Sequence, residues 1–272
     1  MLCKKPFVKK GAKFGCGQCM FCRFNRRRIW THRLMLEALV HTKASFLTLT
    51  YDDENLPPGG QLVKRDLQLF IKRLRKAYGQ LRYFAVGEYG DLSLRPHYHA
   101  ALYGLDREDM EVVETAWGKG RVSLDDLTVQ SAAYICGYVV KKLNKETDEI
   151  SVPEFAIMSL KPGIGAHSVS AIVDAISTRE INVPTQLRHA DKCFPLGRYM
   201  RTKIREAIDY EETDTSREEA RVQVAEMLSL YNRYAADEES PLSFRAFHEY
   251  KEDAKRTKIE LRQRFYGKRG KI

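Results

Sequence analysis

The chain has no apolar run approaching the ~20 residues that a membrane span requires, so no transmembrane segment is expected. No apolar stretch follows Met1-Leu2-Cys3-Lys4-Lys5, which speaks against a secretory signal and for a soluble intracellular protein. A glycine-rich loop ending in Lys-Ser or Lys-Thr is absent, so the usual phosphate cradle of a nucleoside triphosphatase is not expected. Acidic residues are missing from the first 36 positions, which hold ten Lys or Arg. Cysteine is scarce beyond the start: four of the six are Cys3, Cys16, Cys19 and Cys22, leaving Cys136 and Cys193 isolated. In an intracellular chain such clustering points to metal rather than to disulfides.

What is present suits one large domain with appendages. The 272 residues are 43% apolar, enough for a substantial core. The net charge of +10 is unevenly placed. Residues 251–271 carry nine basic and three acidic side chains, whereas 209–219 are acidic through Asp209, Glu211, Glu212, Asp214, Glu218 and Glu219. Basic ends favour a polyanionic partner. Hydrophobic periodicity predicts helices over 29–43, 62–77 and 128–144, and a helix from Asp106, its N-cap, to Trp117. Strands are predicted over 44–51, 81–88, 97–104, 120–124 and 155–160. This order gives an α+β fold: an antiparallel sheet of about five strands in βαββαβ order, with helices packed on one face. A basic cysteine-rich arm with the first helix occupies 1–40, the core 41–165, and a mainly helical basic region 166–272.

The run Arg95-Pro96-His97-Tyr98-His99-Ala100 reads as a strand, and alternation puts His97 and His99 on one side with Tyr98 on the other. Imidazole is a common metal ligand. A hairpin between 81–88 and 97–104 brings Glu88 across from the histidines, with Asp91 a weaker candidate in the connecting loop. Two imidazoles and a carboxylate, with positions left for water and phosphate oxygen, suit Mg²⁺ or Mn²⁺. On the helix over 128–144, Tyr134, Tyr138, Lys141 and Lys145 fall within an arc of about 60°, opposite the stripe of Val129, Ala132, Ala133, Cys136, Val139, Val140 and Leu143. A phenol can attack phosphorus and hold it as an ester. Its free pKa of ~10 calls for help in ionising, and Lys141, three residues beyond Tyr138, supplies an ammonium for the phenolate or the phosphate.

Cys3 with Cys16-x-x-Cys19-x-x-Cys22 offers a four-thiolate zinc site. An iron–sulfur cluster or free thiols in a basic arm are the alternatives. Arg23, Arg26, Arg27 and Arg28 follow directly and suit phosphates, while Phe24 and Trp30 suit base stacking or core packing.

With these residues assembled, the chain resembles the rolling-circle replication initiators of the HUH endonuclease class, in particular those of the gokushovirus branch of the microviruses. The resemblance rests on Phe46-Leu47-Thr48-Leu49-Thr50-Tyr51, on His97-Tyr98-His99 and on Tyr134-x-x-x-Tyr138-x-x-Lys141-Lys142. Gly87-Glu88-Tyr89-Gly90 and the cysteine-rich start add to it, and it covers roughly residues 1–165. It implies a divalent ion held by His97, His99 and Glu88, nucleophilic Tyr134 and Tyr138 assisted by Lys141, and nicking and rejoining of single-stranded origin DNA. The products are a 5′-phosphotyrosine and a free 3′-OH. It further implies a host helicase and polymerase as partners and the bacterial cytoplasm as location. A transposase or relaxase of the same class shares this chemistry. A non-catalytic zinc-bearing nucleic-acid-binding protein shares the basic arms and the cysteines alone.

Overall fold

A computed structural model describes residues 3–9, 12–90, 93–141, 152–177, 183–189, 192–208, 215–238 and 242–267, with side chains described except at 9, 12–13, 138–141, 215–224 and 262–267. The elements in chain order are β1 (Phe7–Lys9), β2 (Ala12–Phe14), α1 (Met20–Ala38), β3 (Ala44–Thr50), α2 (Lys64–Tyr78), β4 (Arg82–Tyr89) and β5 (Pro96–Tyr103). There follow α3 (Met110–Trp117), β6 (Val122–Asp126), α4 (Val129–Lys141), β7 (Phe155–Met158), α5 (Val169–Ser177), β8 (Gln186–His189), β9 (Lys192–Pro195), α6 (Gly197–Ala207), α7 (Thr215–Asp237) and α8 (Phe244–Gly267). Two compact units emerge: residues 23–208, and residues 1–22 together with 209–272.

In the larger unit, five antiparallel strands lie in the order β6-β3-β5-β4-β7. The α+β fold with a five-stranded antiparallel sheet is therefore as expected, and β5, which carries the histidines, is its central strand. The helices differ from the expectation, because they cover both faces. On one face Leu47, Leu49, Tyr98, Ala100 and Leu102 pack against Leu67, Phe70, Ile71 and Leu74 of α2 and Val113, Ala116 and Trp117 of α3. On the other, Phe84, Val86, Ala101 and Tyr103 meet Leu34 and Met35 of α1 and Ala132, Ile135 and Cys136 of α4. The six residues from Phe84 to Tyr89 and from Tyr98 to Tyr103 are consequently all buried, as suits strands enclosed on both sides.

Local chemistry sets several boundaries. Asp106 accepts from the Glu108 N–H at 3.0 Å while its own N–H donates to Asp109 Oδ2 at 3.0 Å, a reciprocal cap on the expected helix start. Gly87 leaves room for β7, since a Cβ there would lie 3.0 Å from the Phe155 ring. The segment expected to be mainly helical also contains the β8–β9 hairpin, whose neighbourhood forms a third cluster with Leu196, Met200 and Ile204. In the smaller unit α7 and α8 meet through Tyr231, Tyr234, Phe244 and a buried Phe247, the Tyr234 and Phe247 rings stacking at 4.7 Å. Among the described residues no helix is long and apolar enough to cross a membrane.

Candidate metal centre and tyrosine helix

The register of the sheet builds the site. Glu88 of β4 lies directly opposite His97 of β5, and Val86 opposite His99. On the other flank Thr50 pairs with His97 and Thr48 with His99. Directly opposed residues project to the same face, so Thr48, Glu88, His97 and His99 all share the face covered by α1 and α4. Tyr98 points the other way and is fixed there, its hydroxyl donating to Val63 O at 3.0 Å and contacting the Tyr51 hydroxyl at 2.8 Å.

The imidazoles converge on one carboxylate. His97 Nε2 is 2.7 Å and His99 Nε2 2.9 Å from Glu88 Oε1. The ligand atoms of Glu88, His97 and His99 all lie within 4.8 Å of one another. The remaining ring nitrogens are engaged behind the site: His97 Nδ1 is 3.1 Å from Arg95 O, and His99 Nδ1 is 3.0 Å from Thr48 Oγ1. A carbonyl accepts only from a protonated nitrogen, so the Arg95 contact puts the proton of a neutral His97 on Nδ1 and the lone pair on Nε2, facing the cluster. Burial of the His97 ring disfavours its charge, but the Glu88 hydrogen bond and charge, the Arg95 carbonyl and the Glu154 charge outweigh that and raise its pKa above the usual value. Glu88 is almost wholly buried, and its Oε2 accepts no hydrogen bond among the described residues. A buried carboxylate with an unsatisfied oxygen between two converging imidazoles fits a divalent cation. The donor set of one oxygen and two nitrogens does not select among Mg²⁺, Mn²⁺ and their neighbours.

Tyr134 is brought to this cluster. Its ring meets His99 edge to face at 5.2 Å between centroids, and Phe46, itself stacked on His99 at 5.4 Å, meets Tyr134 edge-on at 6.2 Å. The tyrosine is 38% exposed, in keeping with its place off the apolar stripe. Tyr138 and Lys141 lie further along α4, one turn and two turns beyond, but their side chains lie outside the described residues, as does Asp91 altogether. Sequence reasoning missed Thr48, the Arg95 carbonyl and Glu154, which accepts from the Tyr89 N–H at 3.4 Å. The strand pairing would have found Thr48.

The four arginines divide. Arg27 Nε donates to Ala133 O at 2.7 Å, tying α1 to α4 beside Tyr134, and Arg28 Nη2 donates to Cys193 O at 2.6 Å. Arg26 is exposed and Arg23 half-buried. Of the aromatic residues expected to stack on bases or pack in the core, Trp30 packs, its ring 5.2 Å from Phe84 and covered by the Arg33 guanidinium at 4.1 Å.

The sulfur atoms of Cys3, Cys16, Cys19 and Cys22 also lie within 4.8 Å of one another. The Cys16 N–H donates to Cys3 Sγ and the Cys19 N–H to Cys16 Sγ, each at 3.3 Å. The N–H groups of Cys19 and Gln18 bring the Cys16 thiol down to about 6, whereas burial pushes Cys22 up to about 12. Gly15 permits the approach, because a Cβ there would come within 2.8 Å of Cys22 Sγ. Four converging thiols, one already held toward thiolate by backbone donors, fit a soft divalent ion.

Known proteins resemble this chain over the segment that builds the site. Residues 44–143, from β3 through α4, match the family of replication-associated proteins described by the name ORF2. The chain is 32% identical over 160 residues to replication-associated protein VP4 of Bdellovibrio phage phiMH2K, covering 50% of each chain. It is 33% identical over 177 residues to replication-associated protein ORF2 of Spiroplasma virus 4, covering 55% of each. Against replication-associated protein ORF4 of Chlamydia phage 1 the identity is 30% over 152 residues, 47% of this chain and 38% of the relative. The chain thus spans about half the length or less of these curated relatives. No solved structure matches. The resemblance to microvirus-type replication initiators is borne out.

Proposed function

We propose that this chain, similar to phage replication-associated proteins over the segment that carries its site, initiates rolling-circle replication by nicking and rejoining single-stranded origin DNA. The observation that carries the reading is one arrangement. Glu88, His97 and His99 converge within 4.8 Å, and the ring of Tyr134 stands against His99.

His97 Nε2, His99 Nε2 and the Glu88 carboxylate would hold a magnesium or manganese ion. Bound there, such an ion withdraws charge from a phosphate oxygen and offsets the charge that develops on the leaving oxygen. Thr48 and the Arg95 carbonyl keep the imidazoles turned inward. The Tyr134 phenol attacks the scissile phosphorus, giving up its proton. A tyrosyl O–P bond forms, the bond from phosphorus to the 3′ oxygen breaks, and that oxygen takes a proton to become the free 3′-OH that primes synthesis. Tyr138, one helical turn further on, serves the second transfer, after which the first linkage is resealed by attack of a 3′-OH on the phosphotyrosine. Lys141 places an ammonium for the phosphate or the phenolate. Strand separation falls to a host helicase and extension to a host polymerase, in the bacterial cytoplasm, since the chain has no glycine loop ending in Lys-Ser or Lys-Thr.

The test is covalent capture. Incubation of the protein with origin single strands and Mn²⁺ yields a protein–DNA adduct that survives denaturation. The Tyr134→Phe/Tyr138→Phe double variant binds the same strand without forming it. Persistence of the adduct in the double variant removes the tyrosines from the chemistry.

A further inference from the structure

Ahead of the replication-associated segment stands a feature that the nicking chemistry does not use. β1 and β2 form a two-stranded ribbon in which Phe7 pairs directly with Phe14. The two rings stack at 5.6 Å with an interplanar angle of 22°, yet Phe7 is 51% exposed, Phe14 42% and the intervening Val8 65%. Aromatic pairs ordinarily stabilise a protein by being buried; this one faces water on a ribbon too small to own a core. The surrounding charge has one sign: residues 1–22 contain Lys4, Lys5, Lys9, Lys10 and Lys13 and no acidic residue. Exposed π-faces among lysines match a strand of unpaired bases on a phosphate backbone, because bases stack on aromatic rings while ammonium groups track phosphates.

The cysteines explain how so small a ribbon keeps its shape. Cys3 lies just before β1 and Cys16 just after β2, while Cys19 and Cys22 stand at the start of α1. Their convergence clasps both ends of the ribbon to one point. We propose that β1–β2 is a metal-clasped ribbon that grips single-stranded DNA by stacking bases on Phe7 and Phe14, with zinc at the four cysteines holding the grip in shape. This rests on the reading of the substrate as single-stranded DNA, and it adds a binding site separate from the metal–tyrosine chemistry.

The experiment uses the full chain carrying Tyr134→Phe/Tyr138→Phe, so that covalent capture does not enter, and a fluorescein-labelled oligothymidylate read by anisotropy. Phe7→Ala/Phe14→Ala weakens binding by about tenfold or more, in line with alanine replacement of a stacking residue, and leaves the dependence of affinity on salt concentration unchanged. Phe14→Trp retains affinity, and its tryptophan emission is quenched as the strand saturates the protein. Zinc measured by elemental analysis is stoichiometric in the parent and lost in Cys16→Ser/Cys19→Ser, which binds as weakly as the alanine pair. Affinity within about twofold of the parent for Phe7→Ala/Phe14→Ala, or unquenched Phe14→Trp emission, overturns the proposal. Loss of self-association in the alanine pair without change in DNA affinity also overturns it, and marks the ribbon as a contact between copies. Absence of a covalent adduct in the wild-type protein with these binding results intact sinks the nicking chemistry and not the ribbon.

Discussion

At the scale of single residues, the orientation of two imidazoles decides whether the site can hold an ion. His99 Nδ1 contacts Thr48 Oγ1 at 3.0 Å, and removing that partner frees the ring to rotate. Thr48→Val keeps the shape of a β-branched residue and deletes only the hydroxyl. It lowers Mn²⁺ affinity by about 10- to 100-fold, the usual effect of losing a group that orients a ligand, and isothermal titration of the folded variant measures it. Unchanged affinity would mean that Phe46 stacking alone holds His99. Of this site, the His-x-His pair and Glu88 were legible in the sequence because strand alternation and a hairpin are short-range rules. Thr48 was not, since its role comes from the β3–β5 pairing, which joins residues about fifty positions apart. A second buried carboxylate gives a pH prediction. Glu37 sits on α1 with the Arg82 guanidinium against Oε1, the Gly165 N–H donating to Oε2 at 2.6 Å, and His41 and His167 nearby at 3.4 and 3.3 Å. Burial raises its pKa, but the Arg82 hydrogen bond, the Gly165 N–H, the Arg82 charge and His41 outweigh that and bring it below the usual value of 4.5. A carboxyl lowered on folding stabilises the native state above its unfolded pKa, and that contribution disappears as pH falls through the folded value. Glu37→Gln therefore costs about 1.5–3 kcal/mol at neutral pH, with the difference from wild type shrinking below about pH 4.5, as urea melts across pH will record.

Among elements, α4 decides the reaction and α1 holds α4 in place. Arg27 on α1 donates to the Ala133 carbonyl, one residue before Tyr134. Sequence reasoning placed Arg27 with its neighbours as a phosphate contact, and the two roles separate experimentally. If Arg27 positions the tyrosine helix, Arg27→Ala slows adduct formation by about tenfold, roughly the weight of one lost charge-assisted hydrogen bond, and DNA affinity stays the same. If it meets phosphate, affinity and its salt dependence fall together, and the positioning role is wrong. The elements themselves were legible where they are long and periodic: α2 keeps Leu67, Phe70, Ile71 and Leu74 buried at helical spacing, and β3 alternates buried and half-buried residues along its length. Two features escaped. The start of α1 at Met20 runs through Cys22, Arg23, Arg26, Arg27 and Arg28, where arginines that cap carbonyls of other elements replace the apolar residues that betray a helix. The β1–β2 ribbon has strands of three residues each, too short for a period to show.

For the whole molecule, charge governs the encounter with DNA. The net charge of +10 is concentrated in the first 36 residues and in 251–271, with the acids gathered mostly elsewhere. A single strand gripped by such a chain sheds condensed counterions in proportion to the phosphates neutralised, with a slope of about −0.7 per contact in a plot of log affinity against log salt. If the basic ends and the exposed Arg26 together engage about five or six phosphates, the slope is close to −4, and affinity falls by about two to three decades between 50 and 200 mM salt. Charge-neutral stacking on Phe7 and Phe14 contributes to the intercept and not to the slope. Replacing Lys5 and Arg26 by Gln therefore flattens the line by about 1.4 while leaving the high-salt affinity nearly unchanged, the reverse of the effect of removing the aromatic pair. Anisotropy titrations at four or more salt concentrations distinguish the two. A flat line for the wild-type protein would mean that its positive ends do not meet DNA at all, and the strand would then have to be held by the sheet and its tyrosine helix alone.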